Sequence, residues 1–138
     1  MAGFGGRVED QPLWTFDRFE PGQIFGTIDV IMDSEKRAGW VAIYGPTNSA
    51  LLPRGMAVAA MMESYIRAIQ PRPSGNVHAS QILKFSEFRP QWGTTLSTKV
   101  SCAAKEVKKG RFWVDFGILV TADTSEVLSG TIRSIWAK

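Results

Sequence analysis

From Gln23 to Asp33 the chain reads QIFGTIDVIMD, where β-branched and aromatic residues dominate, and it is predicted to be a strand. DSEKRAGWVAIYG follows. Asp33 or Ser34 can cap a helix there, Glu35 falls in its first turn, and Gly45 and Pro46 end it after about three turns. Past a polar loop, RGMAVAAMMESYIRAIQPRP reads as a longer helix rich in Ala and Met and stopped by Pro71 and Pro73. Its residues from Met56 to Met62 are apolar nearly all the way round, which predicts burial on most faces, with Arg67 and Arg72 marking its emergence into solvent. After Asn76 the pattern turns to strands. One runs from Val77 to Phe88 and is followed by the turn RPQWGT. TLSTKVSCAAKEVKK and RFWVDFGILVTAD flank a tip at Lys109-Gly110, and EVLSGTIRSIWAK closes an antiparallel meander.

The order strand, short helix, loop, long apolar helix, then antiparallel strands gives an α+β class. A sheet curled around one helix explains the apolar helix, and this is the hot-dog arrangement. Its open sheet edge favours dimers. Residues 1–12, Gly-rich and polar, are expected to form a flexible N-terminal arm, and residues 13–138 a single domain. A length of 138 residues fits one domain, and five Trp and eight Phe supply a substantial core. No apolar run reaches the roughly 18 residues of a membrane span, and no basic start leads into an apolar stretch, so a cytoplasmic protein without membrane attachment is expected.

Charge and special residues narrow the chemistry. The net charge of +3 is spread along the chain, and its densest cluster, KEVKKGR, reads as a solvated hairpin tip with none of the aromatic interleaving of a nucleic-acid surface. Cys102 is the one cysteine and sits in an alternating strand, which suits a buried structural thiol. His78 is the one histidine, so no zinc site is expected, nor any other metal or cofactor.

From Phe16 to Lys138 the chain resembles the MaoC-like hydratase/dehydratase family of hot-dog proteins. FDRFEPGQIF is similar to the family's opening segment, AGWVAIYG to the short helix before its active-site loop, LLPRGMAVAAMM to its "hydrophobic–Pro–His–Gly–Met" start of the central helix, and KFSEFRPQWGTTLSTKV to its "Arg-Phe…Pro-Val-x-x-Gly-Asp-Thr-Leu" turn. The resemblance implies reversible addition of water across the double bond of a 2-enoyl thioester, carried by coenzyme A or a carrier protein. The family motif Gly-Asp-x-Asn-Pro-x-His uses its Asp and His to activate the water. In GPTNSALL, Gly45 and Asn48 match, Ser49 replaces Pro, Pro46 stands where Asp is expected, and Leu51 stands where His is expected. Neither proton carrier is present.

Replacements must come from elsewhere. Glu63, eight residues beyond Gly55, could be a general base if its carboxylate faces the pocket, or could form a surface i,i+4 pair with Arg67. His78, opening the strand after the helix, is the other catalytic candidate. Candidate substrate-binding residues are Tyr44, Asn48, Arg54, Gly55 and Met56, with the helix-start amide at Gly55 suited to polarising a thioester carbonyl. Alternation leaves open which side of the sheet Asp29 and Asp115 take, while Trp92, Trp113 and Trp136 read as core and interface residues. The sequence thus supports a divergent hydratase/dehydratase. Its alternatives are a non-catalytic acyl-binding subunit beside an active hot-dog partner and a thioesterase using Glu63. A homodimer is expected, with a hetero-oligomer as the other arrangement.

Overall fold

The computed structural model describes residues 11–138, so nearly all of the arm expected over residues 1–12 lies outside the described residues. Strand β1 (Ile24–Ile31) leads to helix α1 (Ser34–Tyr44), helix α2 (Arg54–Ala68), and strands β2 (Val77–Phe85), β3 (Thr95–Lys108), β4 (Arg111–Ala122) and β5 (Ser125–Trp136). The strands form one antiparallel five-stranded sheet in the order β1-β3-β4-β5-β2, the hot-dog architecture expected from the pattern. β2 ends at Phe85 instead of Phe88. Beyond it the chain leaves the sheet, and Leu52 N–H donates to the carbonyl of Pro90 at 2.8 Å.

Alternation sets the core. On β4, Val114, Phe116, Ile118, Val120 and Ala122 are buried and point toward the helix. Phe116 lies 5.4 Å from Phe19, 5.6 Å from Trp136 and 5.1 Å from Tyr65 between ring centroids, a cluster joining β4, β5, α2 and the N-terminal segment. That segment is tied down by Trp136 Nε1 donating to Trp14 O at 2.6 Å and Trp14 N–H donating to Pro71 O at 3.0 Å. Cys102 is buried, and burial pushes its thiol pKa up, which keeps it protonated, as suits a structural thiol. Asp29 and Asp115 both point to the outer face: Asp29 accepts from Ser97 Oγ at 2.7 Å, and Asp115 takes Arg133 in a charged pair at 2.9 Å. Trp113 is on that outer face too, 4.4 Å beneath the Arg133 guanidinium, and is therefore not a core residue.

Helix α2 departs from the expectation of burial on most faces. Ala57, Ala60, Met61, Ser64 and Tyr65 are buried in a stripe at helical spacing, whereas Gly55, Ala59, Glu63 and Ile66 are exposed. The sheet packs against the buried stripe of the helix mainly through β1, β3 and β4, with β5 reaching it at Ser134. Helix α1 has no buried residue; it lies against the start of α2 through Trp40.

Candidate acyl-binding cleft

The loop between the helices is built from local hydrogen bonds. Asp33 caps α1 by accepting from Lys36 N–H at 3.0 Å. Gly45 ends it at φ 90°, a conformation suited to glycine, with its N–H donating to Val41 O at 2.8 Å. Ser49 N–H donates to Thr47 Oγ1 at 3.2 Å, Leu51 N–H to Ser49 Oγ at 3.1 Å, and Arg37 Nη2 to Ser49 O at 3.2 Å. Trp92 N–H donates to Ala50 O at 2.9 Å and Arg89 Nη2 to Leu52 O at 3.0 Å, pinning the loop to the turn before β3. Pro46 and Leu51 are exposed, and neither side chain can carry a proton.

The expected binding residues do not converge on one space. Tyr44 is 67% exposed and stacks on Trp40 at 4.2 Å. Asn48 is exposed, and its side chain makes no hydrogen bond among the described residues. Arg54 lies over the ring of Phe85 at 5.4 Å, and Met56 packs half-buried against the core. Pro53 provides no side-chain cap for α2, so the first amides of the helix are not capped from there. Gly55 has a packing reason to be glycine: a Cβ there would lie 3.2 Å from Trp40 Cη2. Beside Leu52, Arg54 and Phe88 the enclosed space is only about 10 Å³, the room of a single water.

The two candidate proton carriers separate. Glu63 is held by Arg67 at 3.1 Å, with both side chains about half exposed (46% and 54%), the i,i+4 surface pair that the spacing also allowed. His78 pairs with Ser134 in the ladder, and since Ser134 is buried beneath α2, His78 shares the helix-facing side of β2. Its ring is edge-on to Tyr65 at 6.4 Å, and its Nε2 lies 3.0 Å from Gln81 Oε1.

His78 borders a cleft of about 150 Å³ that local sequence reading did not find. Met62, Ile66 and Val77 form apolar walls. Tyr65 and Ser134, each 2% exposed, share a hydrogen bond of 3.0 Å at its base. Burial raises the Tyr65 phenol above its usual range, so it stays protonated. Arg72, expected in solvent, instead folds back over the C-terminal end of α2. Its Nε donates to Ile69 O and its Nη2 to Tyr65 O, both at 2.9 Å, and the guanidinium stacks over Tyr65 at 4.5 Å and Trp136 at 5.4 Å. Asn76 completes the rim, its Oδ1 accepting from Ala137 N–H at 2.8 Å. The readable signals were the inward phase of Ser134 on β5 and the place of Tyr65 on the buried stripe of α2; their meeting depends on strand register. Among the described residues no group of three or more His, Cys, Asp or Glu stands ready for a metal ion, and no helix is long and apolar enough to cross a membrane.

No protein-family model and no curated protein matches the sequence. Solved structures do. A MaoC-like dehydratase from Rhodospirillum rubrum superposes with a TM-score of 0.73 at 13% identity, over 89% of this chain and 96% of that one. The (R)-hydratase of A. caviae involved in PHA biosynthesis gives 0.62 at 14% identity, over 85% and 96%. The fluoroacetyl-CoA thioesterase FlK gives 0.60 at 14% identity, over 85% and 87%. At such identities the likeness concerns the backbone: this chain has the hot-dog fold shared by hydratases, dehydratases and thioesterases.

Proposed function

We propose that the chain is a divergent MaoC-like hydratase/dehydratase that binds an acyl thioester at the cleft beside α2 and uses His78 as its proton carrier. The observation that supports this reading is the position of His78. It borders a cleft of about 150 Å³ on the helix side of the sheet, next to a buried Tyr65–Ser134 pair, while the loop lacks proton carriers and Glu63 is engaged by Arg67. In hydration His78 takes a proton from water as the oxygen bonds to C3 of the enoyl group, and the proton is returned to C2; dehydration is the reverse. The protein acts as a dimer. The free edge of β2 exposes Ile82 (77%) and Val77 (50%), and Val77 lines the cleft with Ile66 of α2 (46%), so a second copy covering this edge also closes the cleft.

The test is turnover of a panel of 2-enoyl and 3-hydroxyacyl thioesters by the purified chain. His78→Gln is expected to lower kcat about 10²–10⁴-fold with thioester binding kept; undiminished turnover by that variant would remove the assignment. A second reading, a non-catalytic subunit beside an active hot-dog partner, is favoured by the Gln81 contact on His78 and by the loop's lack of proton carriers. It predicts binding without turnover by this chain alone. Hydrolysis through Glu63 draws no support from a carboxylate paired with Arg67 on the solvent side.

A further inference from the structure

The polar groups around the cleft are of one kind. Arg72 uses Nε and Nη2 on the carbonyls of Ile69 and Tyr65, which fixes the guanidinium beside the Tyr65 phenol at the edge of the cleft. Asn76 is oriented by Ala137 N–H at its Oδ1, so its Nδ2 is the donor end, and that nitrogen is screened from water and has no partner among the described residues. His78 has one ring nitrogen engaged by Gln81 and the other without a partner among the described residues. No Asp or Glu borders the cleft, and among the described residues no ion pair neutralises Arg72. A fixed cation with no carboxylate partner among the described residues, an amide donor lacking an acceptor and an adjacent imidazole suit an incoming acceptor that carries negative charge.

The opposite wall selects the rest of the ligand. Met62, Ile66 and Val77 offer apolar surface for a methylene chain, and about 150 Å³ equals the space of roughly five waters at ~30 Å³ each. We propose that the cleft recognises a short acyl chain ending in a carboxylate, with the carboxylate held by Arg72 and Asn76 and the methylenes along Met62 and Ile66. This rests on the acyl-thioester reading above, narrowing its substrate to half-thioesters of short dicarboxylic acids.

Free carboxylates test the site without any turnover. Butanoate and its uncharged isostere butanamide are titrated into the full chain at constant ionic strength and followed by backbone amide shifts in NMR. Butanoate is expected to move Asn76, Val77 and Ser134 saturably, while butanamide at equal concentration leaves them in place. Asn76→Asp keeps the acceptor for Ala137 N–H and puts a carboxylate where the donor was; it is expected to weaken butanoate at least tenfold with an unchanged melting temperature. Arg72→Lys keeps the charge without the two carbonyl hydrogen bonds that anchor it and is expected to weaken it less. Equal response to the two probes in the wild-type chain overturns the proposal, as does unweakened butanoate binding by a folded Asn76→Asp variant. If thioesters turn over but butanoate does not bind, this inference fails alone. If butanoate binds selectively and no thioester turns over, the hydratase reading fails and the carboxylate site stands.

Discussion

Trp40 lies across the first turn of α2, and Gly55 lets it approach. Gly55→Ala puts a methyl 3.2 Å from the indole, so the ring must shift. A loss of about 1 kcal/mol or less is expected, since exposed α1 can move and alanine is the better helix former; a changed Trp emission with a nearly constant Tm checks it. Tyr65 gives a pH prediction. Burial raises its folded-state pKa above the ordinary tyrosine value of 10.0, so folding favours the protonated phenol. Its contribution is therefore complete below pH 10 and lost as pH rises through the folded value. Tyr65→Phe should flatten the alkaline fall in Tm relative to wild type, at the loss of the Ser134 hydrogen bond near neutrality. An identical alkaline fall in both proteins would refute the assignment.

At the level of elements, α1 and α2 are held differently. α2 buries a stripe at helical spacing, but α1 buries nothing and leans on its caps and on Trp40. Asp33→Ala removes the acceptor for Lys36 N–H and is expected to cost about 1 kcal/mol. Because α1 contributes little to the core, the loss should appear as faster amide exchange confined to α1 rather than a large drop in global Tm. The caps of α1 were legible because each depends on residues within a few positions. The course of Arg72 was not. Near the prolines it reads as a solvated residue, and only the folded chain brings it against the rings of Tyr65 and Trp136 and the last carbonyls of α2.

Across the whole molecule, the aromatic cluster and the free β2 edge set the main expectations. Phe116 is fully buried among Phe19, Tyr65 and Trp136, so Phe116→Ala should cost about 3–5 kcal/mol in denaturant unfolding. Ile82, 77% exposed on the edge strand, is the site at which a charge should block association without touching the core. Ile82→Lys is expected to halve the mass seen by light scattering while the circular dichroism spectrum stays the same; a monomeric wild-type chain would contradict the dimer proposal.

Read alone, the chain determined the order of its elements, a cap for α1 at Asp33 or Ser34, the end of α1 at Gly45 and the absence of proton carriers at Pro46 and Leu51. Each of these is set by residue type, by a period of 2 or 3.6, or by neighbours a few residues away. Tertiary structure decided which face of α2 the sheet covers, which candidate carboxylate is taken by a neighbour, and that Tyr65 and Ser134, 69 positions apart, share a hydrogen bond under His78. Those outcomes follow from strand register and sheet curvature, because a ladder shifted by one residue turns His78 and Ser134 to the outer face and leaves α2 with no cleft beside it.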